Sequence, residues 1–137
     1  MAALSGITAV RPTSNTVVGE PVLYGATIAA GVPVYLDTTD SEHKAADNNA
    51  STATPKVAGI TVTPGVDAGH GYIARQGSII LVGTTMAVGT TYYLGATAGE
   101  IVLESDLATG NSVTKLGTAA TATQLDLDIR ATGILHA

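Results

Sequence analysis

The chain has 137 residues, enough for one domain or two very small ones, and it has no cysteine, so a disulfide framework, a thiolate zinc site and a Cys nucleophile are all excluded. Its net charge is −5 and its six basic residues are scattered from Arg11 to Arg130, which disfavours nucleic-acid binding, where clustered Lys and Arg are needed. Only 12% of residues are charged and the mean hydropathy is +0.33, which argues against disorder and implies that much of the exterior lies against other protein.

Phe and Trp are absent and Tyr occurs five times, so the core must be built from Val, Ile, Leu and Ala. Without large rings such a core is thin, and a thin core favours burial shared with other subunits. Sixteen glycines and five prolines interrupt the chain every few residues. The short segments between them are rich in Val, Ile, Thr and Tyr and predict strands rather than helices. The expected fold is therefore all-β: a small barrel or sandwich.

Residues 1–18 read as an ordinary first strand of the domain. The opening Met1-Ala2-Ala3-Leu4-Ser5-Gly6 has no basic region followed by an apolar run, so no signal peptide is expected. No apolar stretch approaches the roughly 20 residues of a membrane helix, and no membrane contact is expected. The β-domain is expected over residues 19–137. Strands are predicted at 7–10, 21–24, 34–36, 56–62, 71–75, 79–82, 92–94, 101–103, 113–117 and 124–134. Residues 37–54 are polar and Ala-rich and read as a long loop with one helical turn at most. Residues 105–111 are a second loop. In Leu125-Asp126-Leu127-Asp128-Ile129 the apolar residues share one face and the two carboxylates the other, a solvated face rather than a metal pair.

A degenerate repeat is visible across this order. Gly31, Tyr35 and Leu36 match Gly89, Tyr93 and Leu94 at one constant offset, and Lys56-Val57-Ala58-Gly59 parallels Lys115-Leu116-Gly117. Arg75 and Gly77 resemble Arg130 and Gly133 in the same way. Two meander units, about 19–82 and 83–137, would then pack face to face or close into one barrel. Chance similarity in a Gly/Ala/Thr-rich chain is the alternative.

The order Gly31-Val32-Pro33-Val34-Tyr35-Leu36, a polar loop, then Val57-Ala58-Gly59-Ile60-Thr61 resembles small bacteriophage head-decoration, or cement, proteins. The runs from Tyr92 to Ile101 and from Ser105 to Gly117 resemble segments of phage virion proteins more generally. The resemblance spans roughly residues 19–135, and its motifs are turns and strand starts, not chemistry. It implies a β-rich homotrimer on the outer capsid surface of a virion, made in the host cytoplasm, clamping adjacent major capsid proteins. It also implies that residues 1–18, instead of an ordinary first strand, form an extended N-terminal arm, with Ile7, Val10, Val17 and Val18 as apolar anchors and Pro12 holding Arg11 extended, which reaches the capsid with an added strand as the natural mode.

Motifs for chemistry are missing, so an enzyme is not expected, nor a cofactor or metal. His43, His70 and His136 lack metal-ligand spacing and read as turn or surface residues, His70 in a hairpin turn. Gly77-Ser78-Ile79 is not a nucleophile elbow, and Glu20, Glu42, Glu100 and Glu104 form no recognisable acid pair. Asp37, Asp40 and Glu42 lack the glycine of a calcium loop and read as a solvated acidic loop. Asn49-Ala50-Ser51 matches a glycosylation sequon without a secretory route to use it. Tyr92 and Tyr93, being adjacent on a strand, point to opposite faces and form no stacking platform. The competing reading is a phage fibre or spike module binding host-surface glycan, which the shortage of aromatics weighs against.

Overall fold

The structure is a computed structural model that describes residues 4–49 and 54–136. The first three residues of the expected arm, and most of the sequon, therefore lie outside the described residues. The described chain is all-β, with strands β1 (Ala9–Pro12), β2 (Val22–Leu23), β3 (Pro33–Asp37), β4 (Glu42–Ala45), β5 (Val57–Thr61), β6 (His70–Gly71), β7 (Ile73–Ala74), β8 (Gly77–Val82), β9 (Thr91–Leu94), β10 (Ile101–Leu103), β11 (Ser112–Ala119) and β12 (Gln124–Leu135). One 3-10 turn, Glu104–Asp106, opens the segment expected to be the second loop.

The strands form a six-stranded sheet in the order β1-β8-β12-β11-β9-β10, a four-stranded sheet β4-β3-β5-β7 and a two-stranded ribbon β2-β6. Every strand pair is antiparallel. The large sheet and the four-stranded sheet pack as a sandwich rather than closing into a barrel. Ile60 and Ala74 from the smaller sheet meet Val10, Ile79, Leu81, Tyr92, Ile101, Leu116 and Leu125 from the larger. A second cluster gathers Tyr24, Ile28, Val34 and Ile73. Burying each large aliphatic side chain contributes about 1.5–3 kcal/mol, and here aliphatics carry nearly the whole core. The one fully buried ring, Tyr24, keeps its polar end satisfied by donating its hydroxyl to the Thr63 carbonyl at 2.8 Å.

The two meanders share one pairing register. Tyr35 faces Lys44 and Val57; 58 residues on, Tyr93 faces Val102 and Lys115. Val34 faces Gly59 as Tyr92 faces Gly117, and both pairings carry a bulge at the same place. Outside the ladders the match continues. Gly31 donates its amide to Thr61 O at 2.8 Å, and Gly89 donates to Ala119 O at 2.8 Å. The hairpin turns hold Ser41 at φ 60 and Gly99 at φ 79. Gly59 and Gly117 lie where a neighbouring backbone comes close: a β-carbon would strike the Ala74 carbonyl in one unit and the Asp126 carbonyl in the other.

Several sequence expectations change. The third strand of each unit does not match through Arg75 and Arg130. Ala74 faces Ile60 whereas Asp126 faces Thr118, so the connection in the second unit is six residues shorter and Leu127, not Arg130, corresponds to Arg75. Residues 42–45, expected within a loop, form β4: their polar side chains hide a strand whose backbone pairs fully with β3. His70 lies on β6 opposite Leu23, and the turn is made before it, at Asp67 and Ala68, with Ala68 at φ 65.

The described part of residues 1–18 does not stand off as an arm. β1 pairs with β8, from Ala9 opposite Val82 to Pro12 opposite Ile79. Leu4 donates its amide to Ile101 O at 2.8 Å, and the Val17 amide binds Gln76 O at 2.9 Å.

Candidate functional site

The feature with the clearest capacity for binding is the second half of β12. Near its start, Leu125–Leu127 are paired on both sides, by β8 and by β11, and Gln124 pairs with β8. β8 starts at Gly77, whose φ of 86 turns the chain away beneath the Asn15 carbonyl. From Asp128 to Leu135 the strand consequently keeps β11 alone, and among the described residues no strand pairs its outer edge. An unpaired edge offers a row of amides and carbonyls to an incoming strand.

This edge is shaped. Two bulges interrupt its register with β11, one near Lys115–Gly117 and one between Ser112 and Thr114. Gly133 takes φ 71 at the second, and Thr132 donates its hydroxyl to Val113 O at 2.7 Å. Bulges bend a strand and limit indiscriminate edge-to-edge pairing. Ile134 is 66% exposed and Leu135 61%, adjacent on one strand, whereas the exposed Val66 and Val88 stand alone in their turns. At the start of the edge Asp128 sits between Lys115 Nζ and Arg130 Nε, each at 2.9 Å. The hydrogen bond from Lys115, then that from Arg130, hold its carboxyl below the usual carboxylate range. The edge thus passes from a compact charged group to two exposed aliphatic side chains, one on each face of the strand. A cleft of about 90 Å³ lined by Pro55, Lys56, Ser112, Thr114, Ala131 and Gly133 lies beside it.

The residues expected to contact a partner are divided by the fold. Val10 is 8% exposed within the main core, and Ile7 packs against the same cluster. Both are internal supports rather than external anchors, because β1 turns its apolar side onto the sandwich. Arg11, Pro12 and Val17 remain exposed and Val18 is half-buried. The sequence reading ends a strand at Ile134, leaves Leu135 just beyond it, and marks neither as a surface; only the missing neighbour of β12 marks them out.

The polar clusters resolve differently. Lys44 places its Nζ 2.8 Å from both Asp37 and Asp40. Those bonds pull Asp37 well below the ordinary carboxylate range and lower Asp40, while Lys44 is raised. Two of the three acids of this loop are thereby charge-paired from within. The third, Glu42, is raised, first by desolvation and then by Asp40. Among the described residues no three metal-ligating side chains converge. His43, expected at the surface, is 7% exposed on β4, while His70 is exposed and His136 half-buried. Tyr92 is buried and Tyr93 half-buried on opposite faces of β9. No described helix is long and apolar enough to cross a membrane.

Neither a scan against protein-family models nor a search of curated proteins returns a match for this chain.

Proposed function

We propose that the protein is a structural component of a phage virion, a decoration protein that binds the outer capsid surface as a homotrimer and stabilises the lattice of major capsid proteins. The observation that carries the reading is the half-free β12 edge ending in Ile134 and Leu135. It offers backbone pairing and, on each face of the strand, one exposed aliphatic side chain, on a body with few charges, a combination suited to a high-copy mechanical role. The turn and strand-start motifs of residues 31–36, 57–61 and 92–117 support the same reading by resemblance. Arg11, Pro12 and Val17 supply a second exposed set for capsid contact.

The test is the copy number per purified virion, by quantitative mass spectrometry against the major capsid protein. Hundreds of copies, near the lattice stoichiometry, are expected. A handful would shift the protein to a fibre or spike and favour glycan binding; none would end the virion reading. Replacing Ile134 and Leu135 together by Asp should lower capsid occupancy while leaving the unfolding midpoint unchanged. Full occupancy by that variant would remove the β12 edge from the interface.

A further inference from the structure

The repeated register identifies equivalent positions, and one equivalence is chemically unequal. His43 on β4 corresponds to Ile101 on β10: each faces a leucine of the preceding strand, Leu36 and Leu94. Each also closes an outer sheet edge in the same way. The Gly25 amide donates to His43 O at 2.8 Å, and the Leu4 amide donates to Ile101 O at 2.8 Å. Both side chains are buried, at 7% and 2% exposure. The second meander thus seals this position with an aliphatic group and the first with an imidazole. Among the described residues the His43 Nδ1 is buried and has no hydrogen-bond partner.

The surroundings do not welcome a second ring proton. Tyr24 bridges His43 in parallel, and its own hydroxyl is committed to Thr63 O. Arg75 is the charged side chain whose field acts on the ring, and it has the sign of an imidazolium. Glu42 and Lys44 flank His43 on β4 and project to the other face, with Lys44 bound to Asp37 and Asp40 and with Asp67 acting on Glu42. His70 lies opposite Leu23 on the neighbouring ribbon. Burial, then Arg75, lower the His43 pKa below the ordinary imidazole value, against a hydrogen bond with the Leu23 backbone that raises it.

We propose that His43 is an acid-sensitive latch: its protonation releases β4 from the Tyr24–Gly25 segment and opens the four-stranded sheet at that edge, while the equivalent edge at Ile101 stays closed. The folded ring binds its proton less readily than the free ring, whose midpoint lies near 6.5. The stabilisation is therefore complete above about pH 6.5 and is lost as pH falls through the folded midpoint, by up to about tenfold in the opening constant per pH unit. The latch is independent of the capsid reading.

Amide exchange by NMR between pH 7.5 and 5.5 tests it, with protection factors corrected for intrinsic rates. The Gly25 amide should lose protection as pH falls, and the Leu4 amide, which binds Ile101 O at the equivalent edge of the second meander, should not. His43→Ile, which borrows the residue of the second unit, should flatten the Gly25 dependence. Glu42→Gln, which keeps the imidazole, should preserve it. Equal losses in both meanders, an unchanged slope in His43→Ile, or a slope abolished by Glu42→Gln would overturn the proposal. If His43→Ile does not fold, the ring titration in the unaltered protein decides: a midpoint at or above about 6.5 refutes the latch, and a lower one supports it.

Discussion

Replacing Val10 by Asp separates a docked first strand from a detached arm. Val10 is 8% exposed and packs with Ile79, Leu81 and Leu125 in the main cluster, while its backbone pairs with Leu81 across β1 and β8. The substitution removes the apolar burial, about 1.5–3 kcal/mol for a full side chain. It also places a carboxyl where its charge is unpaired, and an uncompensated buried charge typically costs about 3–5 kcal/mol. Part of that cost is avoided if the carboxyl binds a proton, so a net loss of about 3–5 kcal/mol is expected. With a urea slope of about 1–3 kcal/mol per molar, the midpoint should fall by at least about 1 M. Arg11→Asp, one residue away and exposed, should change stability by less than about 0.5 kcal/mol. Urea unfolding of the two variants beside the parent, followed by circular dichroism, makes the comparison. A Val10→Asp midpoint equal to that of the parent would refute the docking of β1 and return this segment to the role of a free arm.

Gly117→Ala should destabilise by about 2–4 kcal/mol, because its β-carbon meets the backbone of Asp126 and Leu127 rather than a side chain that can move aside. Gly89→Ala, with open space but φ at 80, should cost only about 1–2 kcal/mol; thermal unfolding of the pair checks the order. Lys44→Ala should raise the carboxyl midpoints of Asp37 and Asp40 toward the ordinary range near 3.9, read by NMR titration. Because Lys44 lowers both values, the stabilisation it brings is present above that range and is lost as pH falls through the folded midpoints. The pair is solvent-facing, so added salt should shrink the difference.

The sequence by itself determined the all-β class, since short runs of Val, Ile, Thr and Tyr between glycines and prolines leave no room for helices. It also displayed the repeat: Gly31 and Gly89 occupy positive φ before β3 and β9, a requirement local enough to leave a residue signature. β4 escaped notice because Glu42-His43-Lys44-Ala45 has no apolar alternation; its existence rests on backbone pairing with β3, which side-chain type does not encode. The fate of Ile7 and Val10 was equally hidden, because an apolar strand reads the same whether its partner is β8 of its own chain or the edge of another protein. The candidate interface depended on tertiary structure most of all. Ile134 and Leu135 continue the same alternating strand that begins at Gln124, yet one end is enclosed and the other open, because β8 pairs only with Gln124–Leu127. Which half of a strand lacks a neighbour is fixed by where a distant segment starts and ends, and only the folded chain brings the two together.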